Sequence, residues 1–281
     1  MKFRNLVVLC TCVLAATTGR AQNAPTQQDL EVRLKSQFLM LRGMWDGDRL
    51  AVDRQGNLFG SAEKTFFSLS AVIVTQIQLG DTQLDIHGRR AGFEFSYSKP
   101  LHQPPHTPPY DLAAGLMIGA KPYSNVEIEI ARDSAHPEAL DDAINKVFSI
   151  GIDEQLAASA PYYWQSLLEQ HLHPGQKSPE PASTDRSYHP GGGVTNPILR
   201  YAPDPAFSTA ARKLGVAGVA VIGLVVDENG LPRQVHVVRP LGMGGDECAV
   251  AAVLQYRFSP AIYHGHPVPA EINIEVNFRP R

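Results

Sequence analysis

Hydrophobic residues recur along this chain with two periods, and the switches between them mark out its elements. In "VAVIGLVVD", Ala220, Ile222, Leu224 and Val226 share one face of a strand, as a period of two requires. "RQVHVV" continues the pattern, with Val235 and Val237 on the inner face and Gln234 and His236 on the outer one. Between these runs lies Asp227-Glu228-Asn229-Gly230, where Asn-Gly supplies the positive backbone angles of a tight hairpin turn. Pro232 has no amide hydrogen, which places it at the start of the second strand or on an edge. The period then lengthens. In "GGDECAVAAVLQYRF", Ala249, Ala252, Val253 and Tyr256 have helical spacing, and Asp246 stands near the positive end of the helix. Finally "AEINIEVNF" alternates strictly, Ile272, Ile274 and Val276 against Glu271, Asn273 and Glu275. A helix from near Pro205 to Gly215 precedes the first strand, so residues 194–281 read as helix, strand, strand, helix, strand.

The earlier part of the chain mixes the same signals. "QQDLEVRLKSQ" predicts a helix, and "QFLMLRG" and "RLAVDRQGNLFG" are β-type runs with a turn at Gln55-Gly56-Asn57. "AVIVTQIQL", "TQLDIHGRR", "GFEFSYS" and "NVEIEIA" are further strands, the first two joined at Gly80-Asp81. In the first of these, Ile73, Thr75, Ile77 and Leu79 form the more apolar face, opposite Val72, Val74, Gln76 and Gln78. "PEALDDAINKVFSIG" predicts an amphipathic helix closed by Gly151, and "YYWQSLLEQHL" another. The fold class expected is α+β throughout: an antiparallel sheet with helices first, and a C-terminal αββαβ unit after it.

Composition divides the chain further. "PGQKSPEPASTDRSYHPGGG", residues 174–193, is almost free of large apolar groups and reads as a linker. It separates an α+β domain of unknown role at 22–173 from the unit at 194–281, and few contacts are expected across it. The N-terminus has the pattern of a secretory signal peptide over residues 1–21: Lys2 and Arg4, an apolar run from Leu6 to Ala16, then Gly19 and Ala21. That run falls short of the roughly 20 residues needed to span a bilayer, so no stable membrane anchor is expected after cleavage. Cleavage removes three basic residues and no acid, which moves the formal charge from -3 to -6. No basic stripe suggests nucleic acid. Of three cysteines only Cys248 remains, so no disulfide framework is expected.

Candidate chemistry is sparse. The paired histidines at 171 and 173 and at 264 and 266 lack a third ligand at metal-site spacing, and no metal or other cofactor is expected. Gly191-Gly192-Gly193 lacks the lysine and the strand-turn-helix setting of a phosphate loop. Cys248 among alanines reads as packing, Asp141-Asp142 as a solvated helix face, and Trp45 in "MWDGD" as either a recognition aromatic or core or rim packing. No catalytic motif announces itself, and the protein is not expected to be an enzyme.

Four fragments in order carry a family resemblance: "PAFSTAARKLGVAG", "GVAVIGLVVDENGLPRQVHVV", "DECAVAAVLQYRFSPA" and "GHPVPAEINIEVNF". Together they resemble the C-terminal domain of TonB-family energy transducers, with Tyr256 where that family usually has Trp. "GGGV" and "LR…VDRQGNLFG" look similar to Acidobacteria-type TonB-like periplasmic proteins. The resemblance implies a periplasmic module that binds the TonB box of outer-membrane transporters by strand addition. It places the peptide on Glu271, Ile272, Asn273, Ile274, Glu275, Val276 and Asn277. Other envelope proteins are possible partners, and a homodimer is possible. Two features depart from a working transducer: the N-terminal apolar run is short and removable, and a folded region stands where the family has a Pro-rich stalk. A second class fits the same residues, a cell-envelope scaffold using the C-terminal fold for self-association or peptidoglycan contact.

Overall fold

The computed structural model describes residues 24–35, 37–97, 116–173 and 187–279. The expected signal peptide, the Pro-rich run at 101–110 and most of the linker lie outside them. The first described element, α1 (Gln27–Leu34), begins at a capping box: Thr26 accepts from the Asp29 amide, and the Asp29 carboxylate accepts from the Thr26 amide. Next come β1 (Phe38–Leu41), β2 (Arg49–Val52), a single 3-10 turn (Phe67–Leu69), β3 (Ala71–Leu79), β4 (Gln83–Tyr97) and β5 (Leu116–Ala131). Then α2 (Ala139–Val147), β6 (Phe148–Ile150), α3 (Glu154–Ser159) and α4 (Tyr162–Leu172) complete the N-terminal region.

Six of these strands form one sheet in the order β2-β5-β4-β3-β1-β6, antiparallel except for the parallel pair β2–β5. The two runs "TQLDIHGRR" and "GFEFSYS" are one continuous strand, β4, which pairs along its whole length with β5. The helix expected to reach Gly151 stops at Val147 instead. Phe148, Ser149 and Ile150 turn extended and pair with β1, because Phe148 and the β1 leucines share a core that a further helical turn could not reach.

The face assignment of β3 also needs correction. Its register with β4 shifts between Val74 and Gln76, a bulge that adds one residue at Thr75. A bulge inverts the period of two from that point on. Val72, Val74, Ile77 and Leu79 therefore all pack into one core with α1 and α2, while Thr75, Gln76 and Gln78 are exposed. The opposite face of the sheet carries Ala71, Ala91 and Phe93, and Ile73 packs there.

The longer elements of the C-terminal region follow the expected order, and four short strands absent from that order are added to them. After β7 (Ile198–Tyr201), α5 (Thr209–Leu214) starts at the Ser208 cap and ends at Gly215, whose φ of 65° is left-handed. β8 (Gly218–Val226) and β9 (Pro232–Arg239) form the hairpin, with Pro232 as the first residue of its strand. At its turn the Asp227 carboxylate accepts from the Asn229 and Leu231 amides. Then come α6 (Gly245–Val253), the short strands β10 (Arg257–Ser259), β11 (Ala261–Tyr263) and β12 (His266–Val268), and β13 (Ala270–Phe278). β13, β8 and β9 form a three-stranded antiparallel sheet with β8 central, and β7 pairs only with β10.

The expectation of few contacts across the linker is not met. One continuous core contains Phe67, Phe93 and Trp164 from the N-terminal region and Leu214, Ile222, Leu224, Ala249 and Val276 from the C-terminal one. The Met243 amide donates to the Phe93 carbonyl at 2.9 Å, and the Lys121 ammonium to the Leu214 carbonyl at 2.8 Å. The N-terminal sheet thus has α1 and α2 on one face, and α3, α4 and the C-terminal region on the other.

Candidate functional site

β13 owes its form to nine residues that alternate in polarity. Its register with β8 runs without a break from Ala270 opposite Val226 to Phe278 opposite Gly218. Val276 and Phe278 are buried, and Ile272 and Ile274 are partly buried against the shared core. Asn273, Glu275 and Asn277 are exposed. The seven residues expected to contact peptide are therefore brought together on one strand, the apolar ones inward and the polar ones outward.

β13 has β8 on one side only, so its other side is a sheet edge. The direction of its backbone groups is fixed by one bond: the Glu271 amide donates away from β8, to the Tyr188 carbonyl, at 2.9 Å. In a strand the N–H and C=O of one residue point to the same side, and successive residues alternate. Asn273, Glu275 and Asn277 therefore aim their backbone donors and acceptors outward, whereas Ile272, Ile274 and Val276 bond to β8. Among the described residues, nothing pairs with those outward groups. Unpaired edge groups of this kind are a template for a further strand.

One rung of that edge is already filled by the linker. Tyr188 accepts from Glu271 and donates its own amide to the Pro269 carbonyl at 2.8 Å, a parallel bridge opposite Ala270. Its ring rests on that of Tyr263, 5.4 Å between centroids. The next outward acceptor is the Glu271 carbonyl, and the residue that would have to donate to it is Pro190, which has no amide hydrogen. The chain instead folds back through Gly191, Gly192 and Gly193, all with positive φ, closed by reciprocal bonds between Gly191 and Val194. Tyr188 was not singled out from sequence, since only a long-range pairing reveals its role. Pro190 and the glycines were legible as a chain break.

The second concentration of polar chemistry lies where α6 meets the N-terminal region. Glu247 is buried and accepts from the Ser68 amide at 2.9 Å, the Ser68 hydroxyl at 2.7 Å and the Trp164 indole at 3.2 Å. Its neighbour Asp246, fully buried, accepts from the Leu241 and Gly242 amides. Burial, and next the proximity of Glu247, push the Asp246 carboxyl up to about 7, and burial raises Glu247 in the same direction. These groups lie inside the molecule and fasten its parts together.

The remaining candidates are dispersed. His173 sits between Glu154 and Glu169, at 3.2 and 3.0 Å, while His264 packs on the Tyr263 ring in the β11–β12 turn. No cluster of three or more potential metal ligands forms among the described residues. Cys248 is buried, and burial raises its thiol. Asp141, expected to be solvated, forms an ion pair with Arg33 of α1 at 2.9 Å. No helix among the described residues is long and apolar enough to cross a membrane.

Compared with known families, residues 203–280 match the C-terminal domain of the Gram-negative bacterial TonB protein. The match runs past the end of β13, and so includes the whole open edge. No curated protein matches the chain.

Proposed function

Residues 203–280 are a TonB-family C-terminal domain, and from that premise we propose that this protein binds extended segments of outer-membrane transporters, the TonB boxes, by adding them as a strand to β13. Domains of this family serve TonB-dependent transport in the periplasm and are not enzymatic. The observation that carries the finer reading is the row of outward backbone groups at Asn273, Glu275 and Asn277, which have no partner among the described residues. Each main-chain bond to a peptide contributes about 0.5–1.5 kcal/mol net, so three such residues suffice for weak, reversible binding. Glu271, Asn273, Glu275 and Asn277 would meet the peptide's outer side chains, and Ile272, Ile274 and Val276 its inner ones. Export, through the expected signal peptide, would deliver the domain to the same compartment as its partners.

The test is titration of the mature chain with TonB-box peptides from the same organism, followed by calorimetry. Saturable binding supports the reading. A folded protein that binds none of them at ~1 mM, an affinity of about 4 kcal/mol, overturns it. The scaffold reading has one observation in its favour. Ile198, Leu199 and Tyr201 on β7 are 54%, 48% and 56% exposed, an unusual density of apolar surface on a strand paired on one side only. Sedimentation showing a dimer that dissociates when these residues are made polar would favour it.

A further inference from the structure

The N-terminal region contains a solvent-open cavity of about 500 Å³ that has no part in the strand edge. Its walls come from four separated segments: the turn after β1, the long connection after β2, α2 and α3. A space of that size falls within the range of small-molecule sites, about 300–1,000 Å³.

The charge of the walls is one-sided. Arg42, Lys64 and Lys146 line the cavity, and no Asp or Glu does. Arg42 is already neutralised, since its guanidinium donates twice to the Asp153 carboxylate and also to the Asn145 and Phe148 carbonyls. Lys146 donates to the amide oxygen of Asn57 at 2.6 Å, a neutral partner, and has no carboxylate in salt-bridge contact. Lys64 is exposed, and its ammonium has no partner among the described residues. Two ammonium groups therefore line one space: Lys64 has no partner among the described residues, and Lys146 has only the longer-range charge of Asp53, whose carboxylate the Asn57 side chain also binds.

The cavity also presents a ring. Trp45 lines it, and its indole lies so close over Gly43 that a Cβ there would stand 2.1 Å from the ring. The turn at Gly56 is pressed onto α2 in the same way, a Cβ there falling 2.9 Å from that of Lys146. Glycine at 43 and 56 thus brings the indole and the lysine to the rim of the same cavity. Gln155 and Ser159 of α3 add neutral hydrogen-bonding groups on the far side.

We propose that this cavity is a binding site for a small organic anion that carries a six-membered ring, its charge held by Lys64 and Lys146 and its ring laid against Trp45. The two lysines select the anion and the indole selects the ring. The site is independent of β13, so its success or failure does not bear on peptide binding.

The experiment titrates the mature chain with sodium glucuronate, sodium benzoate, glucose and sodium acetate, by calorimetry and by tryptophan emission. Trp164 is fully buried, so a ligand-dependent change in emission reports Trp45. A ringed acid should bind, while glucose, which lacks the charge held by the lysines, and acetate, which lacks the ring laid on Trp45, each bind at least about tenfold more weakly. Glucuronate alone would identify a saccharide acid as the ligand class, and benzoate alone an aromatic acid. Lys64→Ala, at an exposed side chain without a hydrogen-bond or ion-pair partner among the described residues, should weaken binding without lowering the melting temperature, and Trp45→Phe should abolish the emission change. Failure of both ringed acids to bind at ~10 mM overturns the proposal. So does acetate binding as tightly as either, or affinity unchanged in both Lys64→Ala and Lys146→Ala.

Discussion

Ser68 and Glu247 stand 179 positions apart in the chain and meet twice, through the serine amide and through its hydroxyl. The same hydroxyl accepts from the Gly244 amide at 2.9 Å, just before α6. This small network ties the 3-10 turn of the N-terminal region to the first turn of the C-terminal helix, inside a core to which both contribute.

The shared core predicts that the mature chain melts in one transition. A fragment of residues 194–281 exposes the surface that Phe67, Phe93 and Trp164 cover, and should melt less cooperatively and at lower temperature than the full chain. Ser68→Ala leaves Glu247 and the Gly244 amide each one partner short, at a cost of about 1–3 kcal/mol in the full chain. Scanning calorimetry checks both. A fragment with the full chain's melting temperature would contradict the first, and an unchanged melt of Ser68→Ala the second.

Asp246 and Glu247 also make stability depend on pH. In the unfolded chain both carboxyls ionise near 4, whereas in the fold Asp246 keeps its proton up to about 7 and Glu247 is raised with it. Below pH 4 both states are protonated and these groups cost nothing. Between about 4 and 7 the unfolded chain releases protons that the folded chain retains, so their effect is a loss of stability as pH rises. Asp153 acts in the opposite sense: hydrogen bonding from Arg42 lowers its carboxyl to about 2, and its contribution is lost only as pH falls toward that value. Denaturant unfolding of the protein and of Asp246→Asn at several pH values separates the two. The variant should show a flatter fall between pH 4 and 7, and an identical slope would contradict the assignment.

Gly230 is required at the hairpin turn for two reasons. Its φ is 76°, and a Cβ there would stand 1.9 Å from the Phe258 carbonyl oxygen. The Gly230 carbonyl in turn accepts from the Phe258 amide at 2.9 Å, so the turn cannot move aside without breaking that bond. Gly230→Ala should lower stability by about 2 kcal/mol or more, from strain and a displaced backbone together. A thermal melt within a degree of the unsubstituted protein would contradict this.

Much of the C-terminal region was legible in sequence because β8 and β13 obey a simple period, although the register of β9 against β8 shifts twice. Ala220, Ile222, Leu224, Val226, Val235 and Val237 are all buried on the face that alternation assigns them. Where the reading failed, the cause was tertiary. The bulge at Thr75 reverses the faces of β3, and nothing in "AVIVTQIQL" alone marks where an extra residue will be absorbed. Phe148 leaves its helix for a strand because β1 is there to receive it. The edge residues Glu271 to Asn277 were readable as a strand, but which of their amides face outward depended on the Tyr188 bond. Glu247 gave no sign that it would reach Ser68, because a buried hydrogen bond between distant residues has no local pattern.

The strand-addition account is tested most directly by amide hydrogen exchange along β13, residue by residue, with and without a TonB-box peptide. In the free protein the amides of Ile272, Ile274 and Val276, bonded to β8, should exchange slowly, and those of Asn273, Glu275 and Asn277 quickly. Peptide should protect the second set while leaving the first unchanged. Asn273→Ala should keep that response and Asn273→Pro, which deletes an outward donor, should lose it while the circular dichroism spectrum shows the fold intact. Peptide that binds with no new protection at Asn273, Glu275 and Asn277, or that protects residues on another element instead, would contradict the account.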